Sequence, residues 1–421
     1  MNVSPRTNVP CDRDRNYRFY FFGQLVSLLG SWLQSVAQVW LVYRLTGSSF
    51  QLGLVVFIGQ APLLFLSPIG GLIADRYPRR WVVVATQTTS MLPAFVLAVL
   101  TLWGHVQLWQ ILAVAGLQGI INAIDVPTRQ ALVSEIVDTD NLLNAVALNS
   151  SISNNASSAA PLVAGFLVAT VGEGWCFAIN GATYLAVIAG LLMMRLEEQR
   201  KDGGMQSALS SVREGFRFVH DTAPIRRILL VLAVVSLLGA PFTVLMPIFA
   251  DKILHAGPRG LGLLMSANGV GSLIGSFLLA SRRGVTGLGR WIVFGSAGFG
   301  VALILFSQSR SFALSLLILA AVGFCMFYQI TASNTLIQAM SPNALRGRVI
   351  AILSMLILGV VPFGALLAGC LAEPFGAPLT VAVGGLACVA GAVLCLVNLP
   401  TLTVQARQLI TANFIPTGIR T

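Results

Sequence analysis

The stretch Gly71-Leu-Ile-Ala-Asp75-Arg76-Tyr-Pro-Arg79-Arg80 sets one carboxylate and three guanidinium groups in the turn between two long apolar runs. Arginine–carboxylate pairs make short charge-assisted bonds, and an acid also sits well at a helix N-terminus. Gly70 and Gly71 let helices approach closely. The chemistry on offer is charge pairing rather than bond-making. A second set, Gln118, Asn122, Asp125 and Arg129, falls within a narrow arc of a helix advancing 100° per residue. Asp125 stands at the edge of its apolar run, where an unpaired charge drawn to a bilayer centre would cost at least ~2.5 kcal/mol. It is expected to pair with Arg76 or Arg79 when the latch is closed.

Neutral polar side chains form a third group. Gln24, Ser27, Ser31, Gln34, Ser35 and Gln38 fall on one face of the first apolar run. Asn149, Ser150, Ser153 and Ser157 repeat the theme in the fifth, and Tyr328, Gln329 and Ser333 in the tenth. Such groups can line a substrate cavity or bond one helix to another. The expected cavity set is Gln24, Ser27, Ser31, Gln34, Ser35, Gln38, Gln118, Asn122, Asn149, Ser153 and Gln329. Amides and hydroxyls without charge suit a neutral or amphiphilic molecule. No Asp, Glu, Lys, Arg or His is expected near the middle of any run, so a proton carrier would come from Asp75, Asp125, Glu173, Asp251 or Glu373. Nothing resembles a phosphate-binding GxxxxGK[ST] loop, a catalytic triad or a metal-ligand cluster. The six cysteines show no ligand or disulfide spacing. No enzyme activity, cofactor or metal is expected.

The elements that must hold these groups are helices in lipid. The chain is 421 residues long, 56% hydrophobic and 10% charged, with mean hydropathy +0.82. That much apolar surface cannot be hidden from water in a soluble fold. In hydrocarbon only helices and closed barrels satisfy their own backbone. Continuous runs of about twenty residues predict helices rather than alternating barrel strands. Twelve are expected, the fourth spanning 108–126 and the seventh 228–250. Of the 26 Lys and Arg, all but Arg44, Lys252, Arg259 and Arg310 fall in loops on the side of the N-terminus. The positive-inside rule then predicts both termini in the cytoplasm. The same bias accounts for the net charge of +11 without a nucleic-acid partner.

The expected organisation is an N-terminal segment (1–17), a six-helix bundle (18–195), a connector (196–227), a second six-helix bundle (228–399) and a tail (400–421). Within the connector, Leu209, Val212, Phe216 and Val219 recur at spacings of three and four, predicting a short amphipathic helix on the membrane surface.

The turn at 71–80 resembles the loop motif of the major facilitator superfamily, roughly G-x-x-x-D-R-x-G-R-R/K. It matches at Gly71, Asp75, Arg76, Arg79 and Arg80 and departs at Pro78, where the family usually has glycine. Asp125-Val-Pro127-Thr-Arg129-Gln130, Asn141-Leu-Leu-Asn144 and Ser341-Pro342-Asn-Ala-Leu-Arg346-Gly347-Arg348 are similar to the branch holding enterobactin and macrolide-type exporters, as is the connector's Val212-Arg213-Glu214-Gly215. The likeness runs from Asn16 to Pro400. It implies an all-α major facilitator fold of two six-helix bundles, an inner gate at Gly71, Asp75, Arg76, Arg79, Arg80, Asp125 and Arg129, and secondary active export of a siderophore- or drug-like molecule by alternating access. A monomer is the default, with protons as the candidate coupling ion and lipid as the other partner. Relatives often carry N-x-A-R then G-P in helix 5; here Ser157 and Ala160 replace the arginine and glycine, which weakens inheritance of proton antiport. The alternatives are a facilitator or flippase for a lipid-like substrate and a non-transporting assembly or sensor component.

Overall fold

A chain in hydrocarbon has no water to take its amide bonds, and this one answers with helices throughout. The computed structural model describes residues 10–136, 160–194, 214–280, 287–342, 345–397 and 409. Among these, no strand occurs. The helices, in chain order, are α1 (Pro10–Thr46), α2 (Ser49–Arg76), α3 (Arg79–Leu102), α4 (Leu108–Ile136), α5 (Ala160–Val171), α6 (Glu173–Met193), α7 (Ala223–Ile253), α8 (Gly257–Ala280), α9 (Leu288–Gln308), α10 (Phe312–Met340), α11 (Arg346–Phe375) and α12 (Ala377–Val397). Among the described residues, eleven are long and apolar enough to cross a membrane; the described part of α5 is shorter. Large apolar side chains point outward along them, among them Phe277 at 83% exposure and Leu317 at 72%. This is the all-α polytopic architecture expected.

Two elements differ from their sequence-based bounds. Hydropathy ends the fourth run at Val126, because Asp125, Pro127, Arg129 and Gln130 lower the average. The helix nevertheless continues through Pro127 to Ile136. Asp125 therefore lies well inside it rather than at its edge. The seventh run is a single helix only in outline. It contains two π-helical turns, Val235–Gly239 and Phe249–Ile253, on either side of the short α-helical piece Phe242–Ile248. Pro241 lacks an amide hydrogen and Pro247 a second one, so the ordinary i→i−4 ladder breaks in this region. Of the expected connector helix, residues 214–221 are helical, with Val219 buried; Leu209 and Val212 lie outside the described residues.

The chain forms two compact units. The first comprises Met1–Leu41 and Pro62–Gly203, the second Val42–Ala61 and Gly204–Thr421. In the first, Tyr20, Val83, Leu132, Val133, Ile136, Val187 and Leu191 share one apolar core. In the second, residues of α7 to α11 build a larger one that includes Val219 of the connector helix. Glu214 pairs with Arg348, fixing that helix to the start of α11.

Within each unit helices cross on small residues. A Cβ built on Gly271 would stand 1.8 Å from the Ala320 carbonyl oxygen, and one on Gly323 1.9 Å from that of Asn268. The α8 and α10 backbones thus touch directly, as membrane helices do where small residues meet. Gly323→Val should lower stability by roughly 1–3 kcal/mol or more, since overfilling a closed contact forces the backbones apart. Gly347, with nothing within 4 Å of its Cβ position, should accept alanine. Thermal denaturation of the two variants in detergent checks the contrast.

Candidate functional site

The α3 and α4 interface carries a continuous run of polar side chains. On α3, the sequence Thr86-Gln87-Thr-Thr-Ser90 interrupts an apolar helix, and Thr86, Gln87 and Ser90 are all buried. Facing them on α4 are Gln118, Asn122, Asp125 and Arg129. Asp125 is 2% exposed. Its Oδ1 accepts from Thr86 Oγ1 at 2.6 Å and from Gln87 Nε2 at 3.0 Å, and its Oδ2 faces Arg129 Nε at 2.6 Å. Gln118 Nε2 donates to Ser90 Oγ at 3.1 Å and to Asn122 Oδ1 at 3.2 Å. The buried phenols Tyr20 of α1 and Tyr184 of α6 lie within electrostatic reach of the Asp125–Arg129 pair. The first unit therefore holds an acid and a base of one helix, one turn apart, with the acid bonded by donors from α3.

This differs from the pairing expected of Asp125. Its partner is Arg129, not Arg76 or Arg79. The reason is the length of α4: with the helix running on to Ile136, Asp125 lies above the turn at 71–80, and Arg129 completes an i, i+4 pair beside it. Removing one partner of a buried ion pair costs about 3–5 kcal/mol, whereas the intact pair adds little stability over an apolar core.

At the turn itself Arg79 is the organising residue. Its Nη1 meets Glu135 Oε1 at 2.6 Å and donates to the Ala131 carbonyl at 3.1 Å. Its Nε donates to the Ala74 carbonyl at 3.2 Å, and Nη2 stands 3.6 Å from Asp75 Oδ1. One guanidinium thus ties the end of α2, the start of α3 and the end of α4 together. Arg80 donates to the Leu192 carbonyl of α6 at 2.8 Å and lies over the Trp81 ring. Asp75 and Arg76 are exposed. The close approach falls at Gly70 rather than Gly71: a Cβ on Gly70 would stand 2.0 Å from the Ala123 carbonyl oxygen of α4, while one on Gly71 meets nothing within 4 Å.

The α1 stripe divides. Gln34 is buried and accepts from Asn180 Nδ2 of α6 at 2.6 Å. Gly30 lies against Asn180 and Thr183, and Ser31 Oγ donates to the Ser27 carbonyl at 2.9 Å. Gln24 and Ser27 are buried as well. Ser35 is exposed, and Gln38, Gln118 and Asn122 are half-buried. Gln329 is fully buried on α10, and neither end of its amide meets a protein partner. Asn149 and Ser153 lie outside the described residues. Sequence reasoning missed Thr86, Gln87, Ser90 and Glu135. The polar run in α3 was the available signal for three of them; Glu135 was obscured by ending the fourth run too early.

The family model described as "Transmembrane secretion effector" matches residues 9–417. The staphyloferrin A transporter of Staphylococcus aureus is 25% identical over 372 residues, covering 88% of this chain and 92% of its own. The multidrug efflux pump Tap of Mycolicibacterium fortuitum is 27% identical over 365 residues, covering 84% and 88%. The enterobactin exporter EntS of Shigella flexneri is 25% identical over 334 residues, covering 79% of each. Among solved structures, a bacterial homologue of the human lysosomal transporter Spinster superposes with TM-score 0.71 at 14% identity, covering 97% of this chain and all of that one. The nucleoside transporter NupG gives 0.66 at 14% identity, covering 91% and 98%. These two show the fold.

Two outcomes follow from the turn. Gly70→Ala should destabilise the protein by roughly 1–3 kcal/mol while Gly71→Ala leaves it unchanged, because only Gly70 is closed by backbone. A double-mutant cycle of Arg79→Ala and Glu135→Ala should return a coupling of about 0.5–3 kcal/mol, as for groups in direct contact. Equal losses for the two glycines, or additive losses in the cycle, would contradict this geometry. Thermal shifts of purified variants provide both readouts.

Proposed function

Because the chain belongs to the transmembrane secretion effector family of major facilitator transporters, we propose that it exports a small neutral or amphiphilic molecule by secondary active transport. Siderophore export and drug efflux are the activities of its relatives. Of the expected cavity residues in the first unit, those that are not buried, Ser35, Gln38, Gln118 and Asn122 among them, are uncharged, which supports a substrate held by hydrogen bonds and apolar contact. The turn at 71–80, with Arg79 bound to Glu135, acts as part of the gate on the cytoplasmic side. Both termini face the cytoplasm in this reading, and the protein resides in the bacterial inner membrane. One six-helix pair of bundles makes the transport unit, without an oligomer.

The observation that carries the coupling step is the burial of Asp125. Held by Thr86, Gln87 and Arg129, its carboxylate would lose its cation if Arg129 moved away, and an unpaired charge in an apolar surround is expensive. In this reading the Asp125–Arg129 pair is the element that couples proton entry to substrate exit. No proton-carrying role is needed from Asp75.

Comparative mass spectrometry of cells and spent medium tests export. A compound retained inside a deletion strain and depleted from its medium identifies the substrate; identical profiles would sink the export reading in favour of import or lipid movement. With that compound in hand, Asp125→Asn combined with Arg129→Gln leaves no charge unpaired. It should keep downhill exchange in proteoliposomes and lose accumulation driven by a proton gradient by at least tenfold, about 1.4 kcal/mol of driving force. Undiminished proton-driven accumulation would remove Asp125 from the coupling step.

A further inference from the structure

The second unit repeats a helical register of the first. Helices α4 and α10 are each 29 residues long. Counted from their first residues, Asp125 and Gln329 both stand eighteenth, and Arg129 and Ser333 both twenty-second. The helices packed against them agree. Thr86 and Gln87, which bond Asp125, are the eighth and ninth residues of α3; in α9 those places belong to Gly295 and Ser296. Gly295 lies directly on Gln329, its Cβ position 3.0 Å from the Gln329 Cβ. What the first unit builds from charge between α3 and α4, the second therefore builds from neutral groups between α9 and α10.

These neutral groups are sealed in. Gln329, Ser333 and Ser296 are all 0% exposed, and Ile292 of α9 shares an apolar core there with Tyr328, Ala332 and Leu336 of α10. Neither end of the Gln329 amide meets a protein partner, nor does either serine hydroxyl. The change of residues accounts for this. A threonine hydroxyl reaches Asp125 from α3, whereas α9 offers a glycine with no side chain. An acid and a base at i, i+4 satisfy each other on α4, whereas the amide and hydroxyl at those places on α10 are not bonded together. Other serines of this unit, Ser272, Ser276 and Ser341, turn their hydroxyls onto the carbonyl four residues back. Ser296 and Ser333 do not. A buried polar group without a partner bears the full cost of its desolvation, so four such atoms at one helix crossing call for a ligand.

We propose that Gln329, Ser333 and Ser296 form an internal hydration site, in which ordered water takes at the α9–α10 crossing the place that the ion pair takes at the α3–α4 crossing. The chemistry selects water. The amide nitrogen and the hydroxyls donate, the amide oxygen and the hydroxyl oxygens accept, and no side chain carries a charge to hold an ion. A buried water makes about three hydrogen bonds, given and received, and so serves both kinds of group at once. Complete burial of all three side chains leaves no path for a larger molecule. Gln329, expected from its type to line a substrate cavity, is instead an anchor for interior water. The site is independent of what the protein carries and in which direction.

Two measurements test it. A crystal structure at a resolution that shows water should place density about 3 Å from both ends of the Gln329 amide. Thermal denaturation in detergent supplies a sign. Gln329→Met keeps the volume and removes the amide; Ser333→Ala and Ser296→Ala each remove one hydroxyl. If these groups hold water, each change strips it of a partner and lowers Tm. If they are dry, each change relieves an unpaired polar group and raises Tm. Should Gln329→Met fail to fold, the serine variants and the density decide. A rise in Tm in the folded variants, or an absence of water density at the amide, overturns the hydration site.

Discussion

Hydrocarbon offers no hydrogen bonds, and most of what this protein looks like follows from that. Backbone amides must be satisfied along the chain itself, so helices occupy the described residues from end to end. Burying apolar side chains against one another gains little when lipid is equally apolar, so helices associate through close backbone contact at Gly70, Gly271, Gly323 and Gly369. Polar side chains, which lipid will not tolerate, are gathered inward. The Gln34–Asn180 bond, the Thr86–Gln87–Asp125–Arg129 cluster and the Gln118–Ser90 contact are all answers to one demand.

That same demand ranks the acids. Asp125 is tolerated because three side chains, Thr86, Gln87 and Arg129, meet its charge, and the arrangement must be rebuilt whenever any of them moves. Glu373 and Asp75 sit where water reaches them and can change partners at little cost. A transporter needs both kinds: a sealed charge whose state is hard to change without a conformational step, and accessible charges that bind and release easily. The positions of the acids along their helices separate these two roles more clearly than their number does.

Much of this was legible in the residues. The apolar runs identified the helices, the motif at 71–80 pointed to the family, and the arc of Gln118, Asn122, Asp125 and Arg129 marked the polar side of α4, part of which bonds to α3. Hydropathy failed where a polar face is buried: averaging over Asp125, Pro127 and Arg129 cut α4 short, and with it went Glu135 and the true partner of Asp125. Averages carry no direction, so a helix that turns its polar side toward α3 reads like a helix that has ended. The π turns of α7 left no periodic trace beyond Pro241 and Pro247. Gly70 and Gly71 are equivalent in sequence, and only the path of α4 distinguishes them. The α1 stripe mixed two uses on one face, and nothing in residue type separates Gln34, bound to Asn180, from Gln38.

One further point concerns α2. Its 28 residues form a single unbroken helix, yet the two compact units divide it between Ala61 and Pro62. Pro62 has no amide hydrogen, so the rung that would tie it to residue 58 is missing, and its ring presses on the preceding turn. In α2 the missing rung falls where the chain passes from one compact unit to the other, and Pro68 removes a second rung six residues farther on.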